Sequence, residues 1–255
     1  MTKQSGKVAL VTGGARRIGR TIALALAERG WDVAVHYGRS AIEAQATVRE
    51  IAALGRRAQA FQCELGDERA VRGLLPQVIE TLGPVGCVIN NASLFEQDGT
   101  IDFGTAALDR HMHANLAAPL LLAQALHAAT PDGAQAVVVN LLDQKLFNPN
   151  PDFLSYTLSK AALQSATVML AQALAPKLRV VGVAPGITLV SGDQTEESFA
   201  KAHAMTPLGR SSTPEDVAAA VCFVADAPAI TGTTLLVDGG QHLIPLQRDV
   251  MFVAK

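Results

Sequence analysis

The sequence predicts an α/β protein built on a single doubly wound parallel β-sheet with helices on both faces. Three observations carry that expectation. Short apolar, largely β-branched runs recur along the 255-residue chain, helical patterns stand between most of them, and the first run opens into a glycine-rich turn. Strands this apolar, separated by helices of this length, are buried on both faces, as parallel strands are.

In chain order, a strand is expected over residues 7–12 and a helix over 18–29, with the glycine turn between them. Strand 32–37 and helix 41–54 repeat the unit, and strand 57–62 and helix 68–82 repeat it again. The run at 86–90 precedes an alanine-rich helix over 106–129. The run Ala136-Val137-Val138-Val139-Asn140-Leu141-Leu142 marks a strand over 135–142 that ends at Asp143, and a small-residue helix over 155–175 follows. Strand 178–184, helix 214–227 and strand 234–238 complete the rhythm. No linker, repeat or low-complexity tract intervenes, so residues 1–255 read as one domain. The polar stretch 188–212 is too long for an ordinary connection and reads as a substrate-covering lid.

At 49% hydrophobic and 17% charged residues, the chain can bury one large core. A net charge of −2 gives no electrostatic case for a nucleic-acid or membrane partner. No stretch is long and apolar enough to span a bilayer, and Met1-Thr2-Lys3-Gln4-Ser5-Gly6 has no signal-peptide core, so a cytoplasmic protein is expected. Cys63, Cys87 and Cys222 are odd in number and widely spaced, which suits buried reduced thiols. His111 and His113 sit two apart on an expected helix, hence on different faces, and no metal is expected.

The first strand-to-helix turn reads Thr12-Gly13-Gly14-Ala15-Arg16-Arg17-Ile18-Gly19. Glycines there let the backbone approach a pyrophosphate seated on the N–H groups that open the next helix, the Rossmann-type arrangement. Arg17 would place a fixed cation beside phosphates. The second strand ends in His36-Tyr37-Gly38-Arg39-Ser40, with no carboxylate to hold a ribose 2′-hydroxyl. Arg39, Ser40 and His36 instead suit a 2′-phosphate, so NADPH is the expected cofactor. The plainer reading of Ser40 is an N-cap of the following helix, and both can hold.

Tyr156 and Lys160 stand at i and i+4 on the helix that follows the Asp143 strand end, so their side chains converge. A phenol ionises near pH ~10 unless its neighbours intervene; an ammonium favours phenolate and a carboxylate opposes it. Asp143 therefore either raises the tyrosine pKa or is itself protonated and donates. Either arrangement suits a substrate whose reducible position is a basic ring nitrogen. The plainer reading of Asp143 is a loop residue that caps backbone N–H groups.

Together these residues resemble the short-chain dehydrogenase/reductases, and within them the pteridine reductase type. The turn T-G-x-x-x-R-x-G, His36 to Ser40, Asn90-Asn91-Ala92-Ser93, Asp143 where the superfamily usually has serine, Tyr156 and Lys160 all fall in that pattern, through Pro185-Gly186 to Val237-Asp238-Gly239-Gly240. The resemblance implies cofactor contacts at Gly13, Arg17, Ile18, Gly19, Tyr37, Asn91, Ala92, Ser93, Tyr156, Pro185 and Gly186. It implies that Lys160 binds the nicotinamide ribose, that Asn115 relays protons, and that Arg17, Ser93, Phe95, Asp143 and Tyr156 meet substrate, with Phe95 stacking on a pterin. Phe95 could equally be a core side chain under a loop, and Asn115 a satisfied residue at a helix bend. Glu64-Leu65 replaces the usual Asp-Leu at the adenine, keeping the carboxylate on a longer arm. Residues 241–255 form a tail longer than the family pattern. The expected activity is NADPH-dependent reduction of a pterin or folate-like dihydro compound by a homotetramer. Two alternatives stay open, a carbonyl or 3-oxoacyl-thioester reductase and a non-catalytic NADPH-binding sensor or scaffold.

Overall fold

The computed structural model describes residues 3–4, 7–190 and 194–253. Eight strands and nine α-helices are found among them. They are β1 (Lys3–Gln4), β2 (Val8–Val11), α1 (Arg17–Glu28), β3 (Asp32–Tyr37), α2 (Ala41–Ala53), β4 (Ala58–Gln62), α3 (Glu68–Leu82) and β5 (Val85–Asn90). There follow α4 (Thr105–Met112), α5 (Ala118–Ala129), β6 (Ala134–Leu141), α6 (Leu154–Ala173), β7 (Leu178–Pro185), α7 (Glu196–Ala204), α8 (Pro214–Asp226), β8 (Thr234–Val237) and α9 (Val250–Val253). The sheet is parallel throughout, in the order β4-β3-β2-β5-β6-β7-β8, with the short β1 paired to the opening of β6. Sequence order reverses between β2 and β5, and the carboxyl ends of strands at such a switch point leave a crevice for ligands.

Successive strand residues point to opposite faces, which explains the unbroken apolar runs. Ala9, Val11, Val33, Val35 and Ile89 pack with Ile22 and Leu26 of α1 and Val217 and Val221 of α8. Val8, Leu10, Ala34, Val88 and Val138 pack on the other side with Leu74 and Val78 of α3 and Leu122 and Leu126 of α5.

The structure differs from the sequence expectation in three places. The continuous helix expected over 106–129 is broken by a π-helical turn, His113–Ala117. Pro119 lacks the N–H that an unbroken α-helix would direct to the Asn115 carbonyl, so a wider turn is tolerated there. The stretch 188–212 is not structureless, because it contains α7, whose N-terminus is capped by the Thr195 hydroxyl accepting from the Ser198 N–H. Residues 191–193 of that stretch and 254–255 of the tail lie outside the described residues. Finally, β1 is a strand that a two-residue polar segment gave no pattern to reveal.

Candidate active site

The turn between β2 and α1 is held by side chains that the motif pattern leaves implicit. The Thr12 hydroxyl accepts from the Asn91 and Ala92 N–H groups, both at 3.0 Å, and donates to the Ile89 carbonyl, tying the turn to the end of β5. The Asn91 amide donates to the Thr12 carbonyl at 2.9 Å. Gly13 has φ +63°, and a Cβ added at Gly19 would stand 2.2 Å from the Gly13 carbonyl oxygen, so the helix meets its own turn where only glycine fits. Arg17 is also left-handed, at φ +53°, a conformation that costs a non-glycine residue about 1–3 kcal/mol. Its guanidinium donates to the Val190 carbonyl at 3.0 Å, so the cation bridges the turn and the stretch after β7. This cradle and its donor set fit a dinucleotide phosphate.

At the end of β3, two expected contacts sort differently. Arg39 is exposed, and the Ser40 hydroxyl does not cap α2, so the plainer N-cap reading of Ser40 is not what the structure contains. His36 turns away from solvent. Only 2% exposed, it accepts the Gly13 N–H on Nδ1 at 3.0 Å, and its Nε2 donates to the Cys63 carbonyl. With both nitrogens engaged, it braces the turn from behind. Burial holds its pKa below the usual histidine value, which keeps it the neutral acceptor that Gly13 requires. Tyr37 packs partly into the core, Leu65 likewise, and Glu64 lies exposed beside them.

The chemistry-bearing side chains meet beyond the ends of β5 and β6. Tyr156 Oη donates to Asp143 Oδ2 at 2.8 Å, while Asp143 Oδ1 accepts the Lys145 N–H at 2.8 Å. Lys160 Nζ donates to the Leu141 carbonyl at 2.7 Å and lies 5.8 Å from the Tyr156 ring centre. Burial raises the Asp143 pKa, and burial followed by the Asp143 charge raises that of Tyr156 well above its ordinary value. Burial lowers Lys160 to about 8. The expected pull of Lys160 towards phenolate is therefore outweighed, because desolvation penalises the phenolate and the nearest carboxylate opposes it.

Asn115 sits at the π turn with its amide donating to the Leu94 carbonyl and the Ser159 hydroxyl and its oxygen accepting the Leu94 N–H at 2.7 Å. These bonds strap the segment after β5 to α6. That segment carries Ser93 and Phe95, and both line a cleft of about 260 Å³ together with Arg17, Ile18, Asn91 and the Asp143-Tyr156-Lys160 group. Pro185 and Gly186 line it from the end of β7. Phe95 is 43% exposed, stacks on Phe153 at 4.4 Å and meets the Tyr156 ring edge-on at 4.7 Å, so it is a wall of the cleft rather than a core side chain.

Four residues absent from the motif reading prove structural to the site. Phe153 (φ +55°) presents its ring to Phe95. Asp98 accepts the Ser155 N–H at 3.0 Å and its hydroxyl, supplying the N-terminal cap of α6 from a distant loop. Lys145 and Asp249 form a mostly buried ion pair at 3.1 Å. No local sequence pattern pointed to the last two. The three cysteines are buried free thiols, and the described residues contain no metal-holding cluster of His, Cys, Asp and Glu. No helix among them is long and apolar enough to cross a membrane.

A doubly wound sheet with a glycine turn after its first long strand, and a tyrosine and lysine one helical turn apart at the switch point, defines the short-chain dehydrogenase/reductase class of oxidoreductases. The chain belongs to that family: the family model described as Enoyl-(Acyl carrier protein) reductase matches residues 13–242. It is similar to FolM alternative dihydrofolate reductase 1 of Brucella suis, solved in complex with NADP, at 41% identity and TM-score 0.91, covering 96% of this chain and 99% of that one. It is 32% identical to the L-rhamnose 1-dehydrogenase (NAD(P)(+)) of a Sphingomonas species, over 93% of this chain and 97% of the relative. The 3-oxoacyl-[acyl-carrier-protein] reductase FabG of Staphylococcus aureus is also 32% identical, over 93% and 98%.

Proposed function

We propose that this oxidoreductase is an NADPH-dependent reductase of a dihydropterin-like heterocycle, of the dihydrobiopterin, dihydromonapterin or dihydrofolate class. The observation that carries the reading is the 2.8 Å bond between Tyr156 and Asp143 at the position where a carbonyl reductase would place a serine hydroxyl. NADPH, when bound, supplies the hydride. Arg39 and Ser40 would hold its 2′-phosphate, the turn from Gly13 to Gly19 its pyrophosphate, Glu64 and Leu65 its adenine, and Asn91, Ala92, Ser93 and Lys160 its nicotinamide end.

The residues then divide the remaining work. Phe95 offers an exposed ring face against which a flat heterocycle packs. Burial raises the pKa of both Tyr156 and Asp143, and their hydrogen-bonded pair donates one proton to the nitrogen of the C=N bond as its carbon is reduced. A carboxyl matches a basic ring nitrogen, whereas a serine hydroxyl is better matched to a developing carbonyl oxyanion. The similarity to the Brucella FolM protein supports this reading. A homotetramer is part of it, supported by apolar side chains left exposed on α6, among them Leu158, Val168 and Met169.

The FabG relative favours one other reading, a 3-oxoacyl-thioester reductase in which Asp143 merely replaces serine. One assay separates them. NADPH oxidation is followed with dihydrobiopterin, dihydrofolate and acetoacetyl thioester; turnover confined to the thioester rejects the pterin reading.

A further inference from the structure

The tail beyond β8 turns back over the cleft and is bonded to the loop that carries Asp143. Arg248 Nε lies 3.0 and 2.9 Å from the two oxygens of Asp152, and the Asp249 N–H donates to Asp152 Oδ2 at 2.7 Å. The Asp249 carboxylate takes the Lys145 ammonium at 3.1 Å, and the same ammonium donates to the Asp152 carbonyl at 2.6 Å. Phe252 stacks on Phe153, its ring centre 5.9 Å away, and Val250 and Leu246 pack with Ala202 of α7 and Ile187. Leu246, Asp249 and Val250 thus line the cleft beside Asp143.

We propose that residues 246–253 are a working wall of the active site, latched by the Arg248–Asp152 and Lys145–Asp249 ion pairs, and that Lys145 and Asp249 are positioning residues for Asp143. The path is short. The backbone N–H of Lys145 orients the Asp143 carboxylate, and the tail immobilises the Lys145 side chain within a turn only four residues long, Gln144–Phe147. A side chain 4% exposed carries a charge that water cannot neutralise, so the partner carboxylate is needed for the turn to stay closed. The latch also sets the field at Asp143. The groups that face it are Tyr156 and Lys160 on α6, Lys145 on the turn, Asp249 on the tail and Arg17 across the cleft. Of these, the Asp249 charge raises the Asp143 pKa and the Lys145 charge lowers it.

This inference rests on the proposed role of Asp143 as half of the proton donor, and its test is independent of which substrate proves right. Asp249→Asn and Lys145→Met are compared with the unmodified full chain in pH profiles of kcat/KM, using NADPH with dihydrobiopterin and, separately, acetoacetyl thioester. Asp249→Asn should lose about ten- to a hundredfold at neutral pH, as misplaced catalytic groups do, and should move the alkaline limb to lower pH. Lys145→Met should move that limb to higher pH. Trimming of the C-terminus by carboxypeptidase, followed by intact mass, should be faster in both variants. Turnover of the thioester alone would reject the pterin reading while leaving the latch to be judged by the same limb shifts. Superimposable pH profiles, with only the melting temperature lowered, overturn the proposal, as do equal trimming rates in a chain inactive on both substrates.

Discussion

A phenol and a carboxylate 2.8 Å apart in a buried site cannot both ionise cheaply, and that single constraint sets what Tyr156 and Asp143 can do. Tyr156→Phe keeps the ring against Phe95 and removes the donor. Turnover should fall about 10²–10⁴-fold with NADPH affinity unchanged, measured by steady-state kinetics beside cofactor titration. Asp143→Ser and Asp143→Asn should both depress pterin reduction strongly, and unchanged pterin kcat/KM in a folded variant would count against the carboxyl as donor. Stability gives an independent reading. Because the folded pKa of Asp143 is raised, its proton stabilises the fold below the unfolded value near ~3.9, and that contribution is lost as pH rises through the folded value. Asp143→Asn should therefore melt higher than the unmodified chain at neutral pH, with the gap closing below about pH 4. Paired melts across pH check the sign. At this scale the sequence grouped Tyr156, Lys160 and Asp143, and the structure brings the three side chains together, since i, i+4 spacing and a strand end are local facts. It did not reveal the partners of His36, because which groups an imidazole meets depends on Cys63 and Gly13, 27 and 23 residues away.

At the scale of elements, the β3 end and the start of α2 are the corner proposed to select the cofactor. Arg39 is exposed there, with Ser40 uncommitted as a cap, so on that proposal a 2′-phosphate would gain a charge-assisted contact of about 1.5–3 kcal/mol. Arg39→Ala should reduce most of the NADPH-over-NADH preference in kcat/KM, and equal values for the two cofactors in the unmodified chain would refute the assignment. The alanine-rich segment 106–129 teaches the complementary lesson. Its apolar periodicity read as one helix, yet the chain divides it at His113–Ala117 and uses the wider turn to aim Asn115 at Leu94 and Ser159. Helical pattern reports which face is buried and is nearly blind to one extra residue in a turn.

At the scale of the whole molecule, a ligand that binds only the folded chain stabilises it through mass action. At one hundred times its Kd, NADPH should add about 2.7 kcal/mol, raising Tm by roughly 5–10 °C for a chain of this size. NADH at the same concentration should raise it less, and Arg39→Ala should narrow the difference; a scanning melt with each cofactor measures it.

The α/β class, the order of its long strands and helices, and the presence of a dinucleotide-type turn were determined by the sequence alone. They rest on patterns that repeat within a dozen residues, which neighbouring side chains enforce locally. The tertiary structure decided the remainder: that Asp98 caps α6 from 57 residues away, that Phe95 stands on Phe153, and that the tail reaches across the cleft to Lys145, 104 residues back along the chain. Such contacts depend on how the packed layers bring distant loops to one end of the sheet, and no local period encodes that distance.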